Sequence, residues 1–152
     1  MTKGDIAKSY FEQGYNCSQS VALAFADEIG MNNDMIARLT GGFGGGMGRM
    51  REVCGTVSGT AFVLSALYGY SDPKDNETKA KLYNQIQKAA GEFKEENGSV
   101  VCRELLGLTK SGFDNPQPEK RTDNYYKKRP CGELVKMSAD ILEKFIADNS
   151  QK

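Results

Sequence analysis

The chain of 152 residues contains no histidine and no tryptophan. The first absence removes Ser–His and Cys–His nucleophile arrangements and every metal site that needs imidazole. An excess of either charge is missing too: 20 basic and 20 acidic residues leave a formal net charge of zero. No global electrostatic footprint for nucleic acid or an anionic membrane follows from that balance. Long apolar runs are also lacking. The longest, residues 60–67, is interrupted by Ser65 and is far too short to cross a bilayer. The opening segment MTKGDIAKSYFEQG carries no apolar stretch of the signal-peptide kind. A cytoplasmic protein with no membrane insertion and no nucleic-acid partner is expected. Its chemistry is left to cysteine, carboxylate, tyrosine, lysine, arginine or the backbone.

Glycine is abundant where other residues are scarce. Residues 41–59 read GGFGGGMGRMREVCGTVSG, with Gly41, Gly42, Gly44, Gly45, Gly46 and Gly48 crowded ahead of Cys54. Such a tract admits positive φ and removes side chains from the path of a neighbour. It suits an anion-binding nest or a close pass against a helix or a metal–sulfur centre. A phosphate loop is not indicated, because no strand precedes the tract and no Gly-Lys-Ser/Thr follows. Gly55 and Gly59, one helical turn apart, read as a place where a second helix approaches closely.

Elsewhere the periodicity is helical. Residues 5–13 place Ile6, Tyr10 and Phe11 on one face, and residues 17–28 continue into Val21, Phe25 and Ile29 at four-residue spacing. A short helix with Met35, Ile36 and Leu39 inward follows an Asn32 or Asn33 cap. Residues 53–69 are apolar almost all round, the mark of a buried central helix. Residues 75–96 form a polar helix with Leu82, Tyr83, Ile86, Ala89, Ala90 and Phe93 inward. A short helix capped by Ser99 comes next, then a loop over 109–124 enforced by Gly112, Pro116 and Pro118. The last helix begins near Pro130, with Leu134, Met137, Ile141, Leu142 and Phe145 inward. The expectation is an all-α single domain, residues 1–152, of about six helices around a buried central helix with a Gly-rich loop. A chain of this length buries roughly 68–70% of its unfolded surface and needs no disulfide staple.

Four cysteines, Cys17, Cys54, Cys102 and Cys131, stand 37, 48 and 29 residues apart. No CxxC occurs, which excludes zinc-ribbon and thioredoxin-type spacings. Each falls at or near the predicted start of a different helix. Unpaired N–H groups there favour thiolate, the form that attacks, exchanges and binds metal. Free cysteine is also a common buried hydrophobe, so four inert core thiols are the competing reading. Arg49 and Arg51 flank the glycine tract, either as counter-charges to a thiolate centre or, the plainer expectation, as part of a solvated loop face. Arg103 and Glu104 beside Cys102 either pair with neighbours or face water. Tyr125, Tyr126, Lys127, Lys128 and Arg129 form a basic-aromatic patch ahead of Cys131.

The blocks GYNCSQSVALAF, GGFGGGMGRMREVCGTVSG, FKEENGSVVCRELLG and CGELV resemble the four blocks of the CGCAxxG-C-C family, four-cysteine proteins assigned a redox role. The resemblance runs from about Gly14 to Val135 and includes the order of all four cysteines. One departure is Thr56, where alanine is usual; it bears on helix packing. The resemblance implies that Cys17, Cys54, Cys102 and Cys131 are the working residues, catalytic or metal-ligating. Gly44, Gly45, Gly46 and Gly55 would bring backbone against the centre. Four thiolates without histidine suit an iron–sulfur cluster serving electron transfer or redox sensing. The same residues suit a thiol–disulfide protein, or a structural four-cysteine zinc site in a non-enzymatic accessory protein. The expected partner is an electron-transfer or thiol partner, and a homodimer is compatible with the sequence.

Overall fold

The computed structural model describes residues 1–150. Nine α-helical segments follow one another among them, with no strand. They are α1 (Lys3–Glu12), α2 (Cys17–Leu23), α3 (Ala26–Ile29), α4 (Asn33–Thr40), α5 (Gly55–Tyr68), α6 (Asn76–Asn97), α7 (Cys102–Leu105), α8 (Asp123–Lys128) and α9 (Cys131–Ser150). The all-α expectation holds. The higher helix number comes from short segments: the predicted helix 17–28 breaks at Ala24–Phe25 into α2 and α3, and α8 begins within the last two residues of the predicted loop and runs on to Lys128.

Capping explains several of the starts. Thr2 and Asp5 form a reciprocal capping box on α1, and Asn16 with Gln19 does the same for α2. Asn32 caps α4 by accepting from the Met35 N–H. At α7 the cap differs from expectation. Val101 occupies the N-cap position, and the Ser99 hydroxyl instead accepts from the Val101 N–H at 2.9 Å.

α1 and α9 run antiparallel. Lys8 pairs with Glu133 at one end, while the Gly4 N–H donates to Asp140 and Lys136 pairs with Asp5 towards the other. α5 sits between α2, α6 and α9. Its first half is buried on nearly every side, whereas Ser65 and Ala66 near its end face solvent. The close approach predicted from Gly55 and Gly59 is made to α2. A Cβ on Gly59 would lie 2.8 Å from the Ser18 carbonyl oxygen, and one on Gly55 would lie 3.2 Å from Cys17 Cβ. The main core gathers Phe11, Val21, Phe25, Ile36, Leu64, Val135 and Leu142. Each such side chain contributes about 1.5–3 kcal/mol by leaving water. A smaller cluster of Cys54, Val57, Phe93 and Leu134 lies beneath the glycine loop's exit. Three predicted inward residues point out instead: Met35, Leu39 and Tyr83 are 43, 49 and 50% exposed. α4 is short and lies at the edge, so Ile36 alone of its apolar trio is buried. No helix among the described residues is long and apolar enough to cross a membrane.

Candidate functional site

Each cysteine occupies a helix start. Cys17, Cys102 and Cys131 are the first residues of α2, α7 and α9, and Cys54 is the N-cap of α5. Two local devices bring them together. The α1–α9 pairing sets the beginning of α9 beside the turn that leads into α2, so the Cys17 and Cys131 thiols are close enough to shift one another's ionisation. An isolated antiparallel bridge joins Val53 to Val101. Its flanking bonds, Cys54 N–H to Val100 O at 2.8 Å and Cys102 N–H to Glu52 O at 2.6 Å, set Cys54 opposite Val100 and Cys102 opposite Glu52, so the two cysteines lie diagonally across the bridge. The Gly55–α2 contact joins the two pairs.

All four cysteines line one cavity of about 410 Å³, together with Gly44, Gly45, Gly46 and Gly55. The glycine loop forms its roof in an uncommon conformation. Five consecutive residues, Gly45 to Arg49, have φ between +54° and +69°, and Arg51 follows at +62°. L-residues rarely string left-handed positions together; each non-glycine one costs roughly 1–2 kcal/mol. Met47, Arg49 and Arg51 all accept that cost. The loop is tied to α2 by Asn16, which donates to the Gly41 carbonyl at 2.9 Å and occupies the space that a Gly44 side chain would need. A Cβ on Gly46 would lie 2.6 Å from Cys102 Cβ. The Gly45 and Gly46 N–H groups have no hydrogen-bond partner within the described residues.

Arg51 departs from the plainer of its two sequence readings. The solvated-face expectation fails for it: the residue is only 5% exposed. Its Nη1 donates to Cys102 Sγ at 3.6 Å, and its Nε and Nη2 both donate to Asp114 Oδ2, at 3.1 and 2.9 Å. Arg49 adds a 3.4 Å ion pair to the same carboxylate. Asp114 thus fastens the 109–122 loop over the cavity, and the arginines hold its carboxyl below the ordinary range. A sequence signal was present in the two arginines spaced around the tract, but nothing in it gave the burial. Arg103 also faces inward on backbone, donating to the carbonyls of Lys110, Met50 and Gly112. Glu104 accepts from the Ser99 hydroxyl. Thr56 does more than pack: its hydroxyl lies 3.2 Å from Cys54 Sγ.

The four thiols differ in ionisation. The neighbouring Cys17 thiol lowers Cys131 to about 7 against the opposing effect of burial, with Arg129, Arg121 and Arg51 assisting. Cys17 moves up correspondingly, through Cys131 and then through burial. Burial also raises Cys54 against the help of Thr56, and raises Cys102 against the pull of Arg51. Thiolate at every helix start was the expectation; it holds at Cys131, and at the other three positions loss of solvent outweighs the helix end. Cys17 and Cys131 are partly exposed, whereas Cys54 and Cys102 are buried.

A titration of the reduced, metal-free protein with iodoacetamide, read by mass spectrometry, is therefore expected to modify Cys131 first, with a midpoint at about pH 7. Cys131 contributes stability that is complete above the ordinary thiol value of 9.0 and is lost as pH falls through about 7. The raised Cys17 contributes stability that is complete below 9.0 and is lost at higher pH. Their sum gives a maximum within that window, towards its upper end. Equal alkylation of all four thiols at neutral pH would contradict the assignment.

Comparison with known proteins gives one match. The profile of the family described as "putative redox-active protein (C_GCAxxG_C_C)" covers residues 15–145. The chain belongs to that family. No curated protein and no solved structure matches it. In this C_GCAxxG_C_C protein, the matched region spans all four cysteines, the glycine loop, Arg51 and Asp114.

Proposed function

We propose that this C_GCAxxG_C_C protein is a redox protein whose centre is an iron–sulfur cluster held by the sulfurs of Cys17, Cys54, Cys102 and Cys131. The carrying observation is that these residues, far apart in the chain, line one cavity with bare glycine backbone. The donor set fits: such clusters take four cysteine thiolates and tolerate the absence of histidine. Two further observations agree. A Cβ at Gly46 would fill the space beside Cys102, and the unpartnered Gly45 and Gly46 N–H groups are available as donors to sulfur. A single zinc ion suits the arrangement less well. Its bonds of about 2.3 Å would draw all four sulfurs together around one centre. A cluster spreads its ligands over several irons.

When bound, the cluster supplies one-electron chemistry. The chain's own residues do the rest. Arg51 places a buried positive charge against Cys102, Arg121 and Arg129 favour negative charge at Cys131, and the Asp114-anchored loop limits water at the sulfurs. A second reading is favoured by one observation, the nearness of Cys17 and Cys131, whose thiols shift each other's ionisation. In it these two thiols form a disulfide, giving two electrons and two protons to the disulfide of a thiol partner.

Anaerobic purification followed by visible spectroscopy and iron and sulfide assays tests both. The cluster reading expects a coloured protein with stoichiometric iron and sulfide, bleached by Cys→Ser at any of the four positions. The second expects a colourless protein in which Cys17→Ser and Cys131→Ser abolish a reversible thiol count, while Cys54→Ser and Cys102→Ser leave it intact. Four thiols that neither bind metal nor cycle would end both.

A further inference from the structure

We propose that the basic face over residues 120–129, at the mouth of the cysteine cavity, is a docking surface for an acidic one-electron carrier protein. The proposal rests on the redox reading above and names the partner class that the same site would use.

Position is the first argument. Pro116, Pro118, Glu119, Arg121, Tyr125 and Arg129 supply one wall of the cavity, so this segment stands between the sulfurs and solvent. The two cysteine residues with some solvent exposure are Cys17 and Cys131, and the latter directly follows the segment. A partner too large to enter the cavity can approach the centre over this wall.

Charge is the second. Residues 110–131 hold six basic side chains and three acidic ones, while the rest of the chain holds 14 basic and 17 acidic. The overall neutrality noted above therefore hides a local excess. Two of the three acids are already occupied: Asp114 by Arg51 and Arg49, and Glu119 by Arg129. Lys120, Lys127 and Lys128 are exposed, and none makes an ion pair among the described residues. Unpaired cations around a redox opening are what electrostatic steering of an acidic partner requires.

Rigidity is the third. Arg121 donates to the carbonyls of Phe11 and Tyr15 at 2.9 and 3.0 Å, and its guanidinium lies 4.2 Å from the Phe11 ring centroid and 5.0 Å from that of Tyr125. Tyr125 and Tyr126 meet edge to face. The lysines of α8 are thus carried on a clamped scaffold, which limits the ordering cost of association. Redox encounters of this kind are small, polar and transient. No covalent bond is needed; one electron crosses, oxidising one protein and reducing the other.

The test uses oxidised flavodoxin, an acidic one-electron carrier, added to the ¹⁵N-labelled full-length protein. Amide shifts are expected at residues within 116–131. Binding is expected to weaken about tenfold between about 50 and about 300 mM salt, as the Debye length contracts. The triple variant Lys120→Glu, Lys127→Glu, Lys128→Glu is expected to bind about tenfold or more weakly, with an unchanged circular dichroism spectrum because all three side chains are exposed. The control reversal Lys81→Glu, Lys88→Glu on α6 is expected to leave binding unchanged. No binding at low salt, shifts on another face, or indifference to the triple reversal would overturn the proposal. Tighter binding of a single-stranded oligonucleotide to the same face would overturn the partner class. Because the carrier is oxidised and no turnover is read, the outcome is independent of the cluster test. A colourless protein that still bound flavodoxin would refute the cluster alone.

Discussion

Replacing Arg51 with alanine is expected to lower stability by about 2–3 kcal/mol and to slow the alkylation of Cys102 about tenfold at about pH 8. The side chain is 5% exposed and makes three hydrogen bonds, one to Cys102 Sγ and two to Asp114. Truncation removes the cation that opposes the burial-driven rise at Cys102, so the thiolate fraction falls. It also releases the 109–122 loop from its main anchor, with Arg49 left as the remaining ion-pair partner of Asp114. Two further variants separate the contributions. Arg51→Lys keeps the charge but not the planar fork that reaches both partners, so partial rescue of Cys102 reactivity is expected. Arg51→Gly relaxes the left-handed backbone at φ +62°, so it should be more stable than Arg51→Ala by about 1 kcal/mol while reacting equally slowly. Denaturant melts read the first quantity, and peptide-level mass spectrometry the second. An Arg51→Ala protein with unaltered Cys102 kinetics would remove the guanidinium from any account of the site.

The second large effect belongs to Gly46. Alanine there would place a methyl carbon 2.6 Å from Cys102 Cβ and 2.7 Å from the Glu52 nitrogen, at a φ of +69°. Neither contact can be relieved by a flexible side-chain tip, because Cys102 Cβ and the Glu52 amide belong to the two segments joined by the bridge. The loss is expected to be about 3–5 kcal/mol, combining overpacking with backbone strain. For a chain of this size that is a fall in Tm of roughly 6–20 °C by calorimetry. Gly42→Ala is the matched control. It belongs to the same tract, has no atom within 4 Å of the added carbon and does not adopt positive φ. Its melting temperature should change little. Equal tolerance at both positions would show that the loop does not press on Cys102.

The contrast between these glycines shows what was legible beforehand. The tract announced a close approach, and Gly55 with Gly59 announced a packed helix; both follow from missing side chains, which the letters record directly. Helix starts were readable through caps such as Asn32, so the placement of four cysteines at four helix beginnings could be inferred. The partner of each cysteine could not. The nearness of Cys17 to Cys131 depends on how α1 packs along α9, and the bringing of Cys54 and Cys102 to one cavity depends on a two-residue bridge between segments 48 positions apart. Neither leaves a periodic trace. Arg51 was misread for the same reason: in a glycine-rich loop an arginine normally faces water, and only the left-handed run turns this one inward. α8 was overlooked because the prolines at 116 and 118 made the whole region read as irregular.

Placing sulfurs at residues 17, 54, 102 and 131 makes the cavity a knot of the whole polymer. Any bond joining the outermost two encloses 114 residues, and in the chain-entropy account such a closure removes about 4–5 kcal/mol of freedom from the denatured ensemble. Whether those sulfurs are joined and where the protein melts are then one quantity seen through two instruments. A thermal scan would report whether the sulfurs are joined, with no need of a spectrum.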